Sequence, residues 1–173
     1  MSRAVLSAGT NVGDWTAHLR SVVDGFADHL VAVSHVFTTA PWGGVDQDDF
    51  HNITLIADGP YSPSQWLAFG ARLEQAAHRT REIRWGPRTL DVDVISVTDD
   101  AGRVVVSDDP VLTLPHPRAA ERAFVLVPWR QIDPDATLWT PDGMRAVDDL
   151  IDALDPDEVA GVRESGPLVG IGR

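Results

Sequence analysis

The sequence has no cysteine and no lysine. The first absence excludes thiol nucleophiles, Cys-ligated zinc, iron–sulfur clusters and disulfides. The second excludes a P-loop lysine, a Schiff base and a nucleotidyl-lysine intermediate. Every fixed positive side chain is therefore an arginine, whose planar fork suits bidentate phosphate contacts. Positive charge is itself scarce: 14 basic residues against 26 acids leave a net charge of −12. Such a balance disfavours general binding to nucleic acid or to anionic membranes. No apolar run approaches the ~20 residues of a membrane helix. The N-terminal apolar run is too short for a secretory signal. The expectation is a cytoplasmic protein, monomeric, with no nucleic-acid or membrane partner.

What is present reads as one domain spanning 1–173. The chain has 173 residues, 43% of them hydrophobic, enough to bury about 70% of its unfolded surface without a structural metal. A short apolar run predicts a strand over 3–7. Asp14 is a good N-cap, and Trp15, Leu19, Val22, Val23, Phe26 and Leu30 recur at helical spacing, which predicts a helix over 15–30. A β-rich run predicts a strand over 30–37. A Pro/Gly/Asp-rich loop occupies 38–49, long enough to suggest function. A strand over 50–57, a helix over 64–79, a loop over 80–88 and a strand over 90–97 follow. The segment 99–102 turns into a further strand over 103–106. The order β-α-β-β-α-β predicts an α+β, ferredoxin-like antiparallel sheet with both helices on one face. Beyond it, 123–129 is apolar and core-like, and 147–154 reads as a short helix. The Gly- and Pro-containing 155–173 reads as a flexible tail.

The chemistry concentrates in RTREIRWGPRTLDVDV, 79–94. Arg79, Arg81, Arg84 and Arg88 make a basic patch in an acidic chain, and Gly86-Pro87 exclude a regular helix there. Asp91 and Asp93 are two apart on a strand, so they share a face, while Leu90, Val92 and Val94 face the core. Two neighbouring carboxylates repel unless a cation lies between them. Carboxylates plus substrate phosphates are the usual Mg²⁺ arrangement. Taken alone, the pair is also compatible with a solvated edge strand. With four arginines beside it, an Mg²⁺–polyphosphate site is the better reading. The residues alone leave open a metal-dependent nucleotidyl transferase with a palm-like fold, and a non-catalytic ligand-binding module. Trp42 in the first long loop, and Phe50 with Asn52 on one strand face, suit a flat heterocycle. His116 in Leu114-Pro115-His116-Pro117 is a candidate phosphate contact.

Five segments occur in an order that resembles the 6-hydroxymethyl-7,8-dihydropterin pyrophosphokinase family of folate biosynthesis: LSAGTNVGD at 6–14, TTAPWGG at 38–44, FHN at 50–52, RTREIRWGPRTLDVDV at 79–94 and LPHPRAAERAFVL at 114–126. The resemblance implies a ferredoxin-like fold and transfer of the β,γ-pyrophosphoryl unit of ATP to the pterin hydroxymethyl group, with release of AMP. It implies two Mg²⁺ ions held by Asp91 and Asp93. Arg79, Arg81, Arg88 and Trp85 resemble the family's catalytic loop residues. Glu74, Thr113, His116, Arg122 and the backbone of Val94 resemble its ATP contacts. Thr39, Trp42, Phe50, Asn52 and Phe124 resemble its pterin pocket, with Phe50 and Phe124 on either side of the ring. Ala40, Ala71 and His78 stand where the family often has Pro, Gln and Gly.

Overall fold

The computed structural model describes residues 1–40, 48–79 and 90–168. Its centre is β1 (Ser2–Thr10), flanked on one side by β4 (Phe50–Gly59) and on the other by β5 (Asp91–Thr98). Beyond β4 lie β2 (Leu30–Val33), β3 (Val36–Thr39) and, outside β3, β10 (Arg163–Gly166). Every pairing in this sheet is antiparallel. Helices α1 (Trp15–Gly25) and α2 (Pro63–Arg79) connect strands that are not sheet neighbours.

Strand alternation sorts the sheet into two faces. Ala4, Leu6 and Ala8 of β1, Ile53, Leu55 and Ala57 of β4, and Val92 and Val94 of β5 are buried together with Leu19, Val22, Val23 and Phe26 of α1 and Trp66 of α2. Burying a side chain such as Leu19 stabilises the fold by roughly 1.5–3 kcal/mol. Asp14 caps α1 by accepting the Ala17 amide at 3.2 Å. The helix stops at Gly25, before Leu30, because Leu30 pairs with Ala57 at the start of β2. At Gly70, α2 comes so close to β5 that a Cβ there would lie 3.0 Å from Val92 Cγ1.

The opposite face carries Val5, Ile56 and Ile95, covered by α3 (Ala123–Ile132) through Val125, Leu126 and Trp129. Helix α4 (Val147–Asp152) adds Val147 and Ile151 to this second core. The two helices expected on one face, α1 and α2, share the first core, and α3 and α4 add a second layer on the other face. A β-bulge leaves Ile95 unpaired opposite the Val5–Leu6 step, so Val97 returns to the first core.

Four further departures concern the periphery. The strand expected over 30–37 is two strands, broken at Ser34–His35, where buried Ser34 exchanges bonds with the Thr54 main chain. The strand expected over 103–106 is a single bridge between Thr98 and Val104. The hairpins β6 (Ser107–Asp109) with β7 (Leu112–Leu114), and β8 (Thr137–Thr140) with β9 (Gly143–Ala146), were not expected. The segment expected as a tail carries α5 (Pro156–Ala160) and β10, which pairs with β3 from Arg163↔Thr38 onward. Glu164 bonds His35 and accepts from Gln131 Nε2 at 2.7 Å, tying β10 to the Ser34–His35 break and to α3. Among the described residues, no helix is long and apolar enough to cross a membrane.

Candidate active site

The face that α3 covers at one end is open at the other. There, register aligns Asn52 of β4, Gly9 of β1 and Asp91 of β5 in one row. The next row brings Ser7 and Asp93 together, with Thr54 beside them already buried under α3, its hydroxyl donating to the Val125 carbonyl at 3.4 Å. Thr39 lies opposite Phe50 at the β3–β4 edge. Above these rows opens a cleft of about 960 Å³, also lined by His116, Arg118, Arg122 and Phe124 and by α5. Polar rows replace apolar ones where α3 ends, so the cleft is the uncovered half of the second sheet face.

Thr39, Phe50, Asn52, Asp91, Asp93, His116, Arg122 and Phe124 thus line one cleft, although they are scattered in sequence from 39 to 124. Others of the expected set lie elsewhere. Glu74 of α2 accepts the Val92 amide at 3.1 Å on the outer edge of β5. Val94 has the same parity as Val92, so its main chain points to that same outer edge. Thr113 of β7 donates its hydroxyl to the Asp109 carbonyl at 3.0 Å. Arg79 is the last residue of α2. Trp42, Arg81, Trp85 and Arg88 lie outside the described residues.

Asn52 is only 5% exposed, and its Nδ2 has no hydrogen-bond partner among the described residues. A buried amide donor left without a partner costs about 1–3 kcal/mol, a cost that an acceptor on a molecule in the cleft would offset. Gly9 makes room for it: a Cβ on Gly9 would stand 2.5 Å from Asn52 Oδ1. Between Phe50 and Asn52, His51 points to the opposite face and stacks on Trp15 at 4.0 Å with 13° between the rings. Its Nδ1 is 3.2 Å from Thr38 Oγ1. Burial pushes the His51 imidazole below its ordinary value, against the pull of Asp49 and Asp48.

The acidic and basic groups meet at the β5 end. Arg122 Nη1 is 3.5 Å from Asp93 Oδ2, and the guanidinium lies 5.5 Å from the Phe124 ring centre. The His116 amide donates to the Ile95 carbonyl at 2.8 Å, which fixes the 114–117 turn to β5. The Arg118 amide donates to His116 Nδ1 at 3.2 Å. A neutral His116 ring therefore carries its proton on Nε2. Burial holds the ring below its ordinary value; Asp93 opposes this, and Arg122 and Arg118 reinforce it. Asp91 and Asp93 supply hard oxygen donors of the type Mg²⁺ takes when phosphates complete its shell. Among the described residues no third carboxylate or histidine joins them in a metal-sized cluster. A cation held here would therefore depend on oxygens brought by a ligand or water.

The profile of the 7,8-dihydro-6-hydroxymethylpterin-pyrophosphokinase family matches residues 5–134. The chain belongs to this family. It is 47% identical over 169 residues to the 2-amino-4-hydroxy-6-hydroxymethyldihydropteridine pyrophosphokinase of Mycobacterium tuberculosis, covering 94% of this chain and 89% of that one. The Mycobacterium leprae protein of that name is 49% identical, over 94% and 88% of the two chains. The one from Methylorubrum extorquens is 39% identical, over 92% and 98%. The crystal structure of Plasmodium falciparum HPPK-DHPS superposes with a TM-score of 0.64 at 12% identity, covering 88% of this chain. The match spans 44% of that longer chain. At this identity the likeness concerns the fold.

Sequence reasoning missed Ser7, Gly9 and the wall made by α5 and the residues just after it, Asp157, Glu158, Gly161 and Val162. Arg118, which also lines the cleft, was given no place in the site. Gly9 was legible only as a turn residue, because its role depends on a strand partner 43 positions away. The α5 wall lies after residue 134, where the family match ends.

Proposed function

We propose that the cleft holds ATP and 6-hydroxymethyl-7,8-dihydropterin together, and that the enzyme passes the β,γ-pyrophosphoryl unit of ATP to the pterin hydroxymethyl oxygen, releasing AMP. The observation that carries this reading is the partnerless Asn52 amide on the same sheet face as Asp91 and Asp93. It brings a selective donor for a heterocycle next to a pair of acids suited to a phosphate-bound cation.

In this reading Asn52 Nδ2 donates to an acceptor on the pterin edge, and Phe50 and Phe124 lie against the two ring faces. Thr39 and Trp42 complete that pocket. Asp91 and Asp93 are the residues that would hold two Mg²⁺ ions, which when bound supply charge neutralisation of the phosphates. Arg122 leaves its long contact with Asp93 for a phosphate oxygen. His116 acts as a donor through Nε2–H, because its Nδ1 lone pair is already taken by the Arg118 amide. That arrangement makes neutral His116 a phosphate contact and not a proton acceptor. Arg79, Arg81, Arg88 and Trp85 act on the transferring group, and Glu74, Thr113 and the Val94 main chain on the nucleotide.

The chemistry breaks the bond from Pβ to the α–β bridging oxygen and forms one from the hydroxymethyl oxygen to Pβ. AMP departs with the bridging oxygen, and the hydroxyl proton is lost. Positioning of the two substrates and electrostatic support of the phosphate oxygens carry such transfers. The strand order and connections support reading the core as ferredoxin-like. The net charge of −12 supports a monomeric enzyme without a nucleic-acid partner. Incubation with ATP, Mg²⁺ and the hydroxymethyl-dihydropterin tests the function: AMP should appear only when all three are present. Accumulation of ADP, or of inorganic pyrophosphate as in nucleotidyl transfer, overturns it.

A further inference from the structure

Cationic groups on the described wall of the cleft are few, and they are not equivalent. Arg122 faces Asp93 at 3.5 Å and packs over Phe124. Its charge is shared with a carboxylate of the site. Arg118 also lines the cleft, and its side chain is exposed. Among the described residues no carboxylate lies within ion-pair distance of it, although Glu121, Asp157 and Glu158 line the same cleft. In a chain of net charge −12, an arginine at a cleft without an acidic partner is an uncommitted anion contact.

Its backbone is well placed for the task. The Arg118 amide is bonded to His116 Nδ1, and the His116 amide to the Ile95 carbonyl of β5. The Glu121 amide donates to the Arg118 carbonyl at 3.0 Å, closing the 3-10 turn Ala119–Glu121. Buried Ala119 sits under that turn in the second core. Arg118 therefore emerges from a turn anchored on both sides, next to the strand that carries Asp91 and Asp93. A long side chain with a fixed root loses little backbone freedom when its tip meets a ligand.

We infer that Arg118 is a phosphate-binding residue on the fixed wall of the cleft, contributing to affinity for the polyphosphate chain of the nucleotide. The assignment rests on the pyrophosphoryl-transfer reading of the cleft. A planar guanidinium here binds phosphate oxygens without giving up an existing partner, whereas Arg122 must leave Asp93. Arg118 is thus a ground-state anchor, and its loss raises the dissociation constant for nucleotide more than it lowers the rate of bound substrate.

The test is calorimetric binding of Mg²⁺ with the α,β-methylene analogue of ATP, in which the bond to be broken is replaced. Wild type, Arg118→Ala and Arg118→Lys are compared, with pterin binding to each analogue-loaded protein measured alongside. Loss of one charge-assisted contact should weaken analogue binding about tenfold in Arg118→Ala. Arg118→Lys should recover part of it, and the dependence on salt should be shallower in the alanine variant. The thermal midpoint and the pterin affinity should stay at wild-type values, because the side chain is exposed. Wild-type analogue affinity in Arg118→Ala overturns the assignment. So does an equal loss of pterin affinity, which would mark a packing role. A wild-type protein that binds no Mg²⁺–nucleotide overturns the phosphate reading of the cleft itself.

Discussion

Gly9 and Asn52 face each other across β1 and β4 at a distance no larger residue at position 9 permits: a Cβ on Gly9 would lie 2.5 Å from Asn52 Oδ1. The closeness fixes where the carboxamide oxygen sits, and the proposed function gives its Nδ2 to the pterin. Gly9→Ala should therefore displace the Asn52 side chain and raise the pterin KM by about tenfold or more, the worth of one misplaced hydrogen bond in a buried site. Mg²⁺–ATP affinity should change little. Steady-state kinetics with each substrate varied in turn checks this. Equal effects on both substrates would mean that Gly9 serves the sheet and not the pocket.

Asp91 and Asp93 should be separable from the fold. Both lie on the open part of the sheet face, and Arg122 meets Asp93 only at 3.5 Å. A partly exposed pair of this kind contributes ~1 kcal/mol or less. Asp93→Asn should leave the denaturation midpoint close to wild type yet remove Mg²⁺-dependent turnover and weaken Mg²⁺–ATP binding. Asp91→Asn should remove turnover likewise. A variant that turns over with the wild-type Mg²⁺ dependence would show that its carboxylate holds no metal.

The polar frame of the site was open to sequence reasoning because strand parity is simple: Asp91 and Asp93 outward, Leu90, Val92 and Val94 inward. Phe50 and Asn52 followed by the same rule. Helix α3 was read only as apolar, since Pro128 lies inside it and removes an amide from the helix ladder. Tertiary burial of Val125, Leu126 and Trp129 outweighs that cost. The β10 strand was missed for a different reason. Arg163–Gly166 has no apolar alternation, and its place is fixed by edge pairing to β3 and by the Glu164 contacts with His35 and Gln131. None of these is written in local periodicity.

That edge strand follows directly on the cleft-lining residues Asp157, Glu158, Gly161 and Val162, so its anchoring should matter for the pterin side. Glu164→Ala removes the link among β10, His35 and Gln131 and should loosen the cleft-lining segment 157–162 that precedes β10. The expected result is a several-fold rise in pterin KM with kcat and Mg²⁺–ATP affinity near wild type, and partial rescue by Glu164→Gln. Unchanged pterin KM would limit β10 to covering a sheet edge.

Stability should fall in two stages as the pH is lowered. His51 and His116 titrate below the ordinary 6.5 in the folded protein, chiefly through burial. Protonation then favours the unfolded chain: their contribution is present above about 6.5 and lost as the pH falls from there toward the folded values. Glu164 and Asp58 are held low by His35 and Arg3 respectively. Their contribution is present above the ordinary carboxylate range and lost as the pH falls through the lowered values. Urea melts from pH 8 to pH 3 should show His51→Gln losing less stability than wild type between about 6.5 and 5, with the acid stage unchanged. Parallel curves across that window would contradict the assignment to His51.

The central claim is the transfer of an intact pyrophosphoryl unit, and the fate of the β-phosphate tests it most directly. ATP labelled at the β-phosphorus, incubated with the enzyme, Mg²⁺ and 6-hydroxymethyl-7,8-dihydropterin, should yield labelled pterin and unlabelled AMP in equal amounts. Label retained in ADP, as in simple phosphoryl transfer, or released as inorganic pyrophosphate would contradict the account.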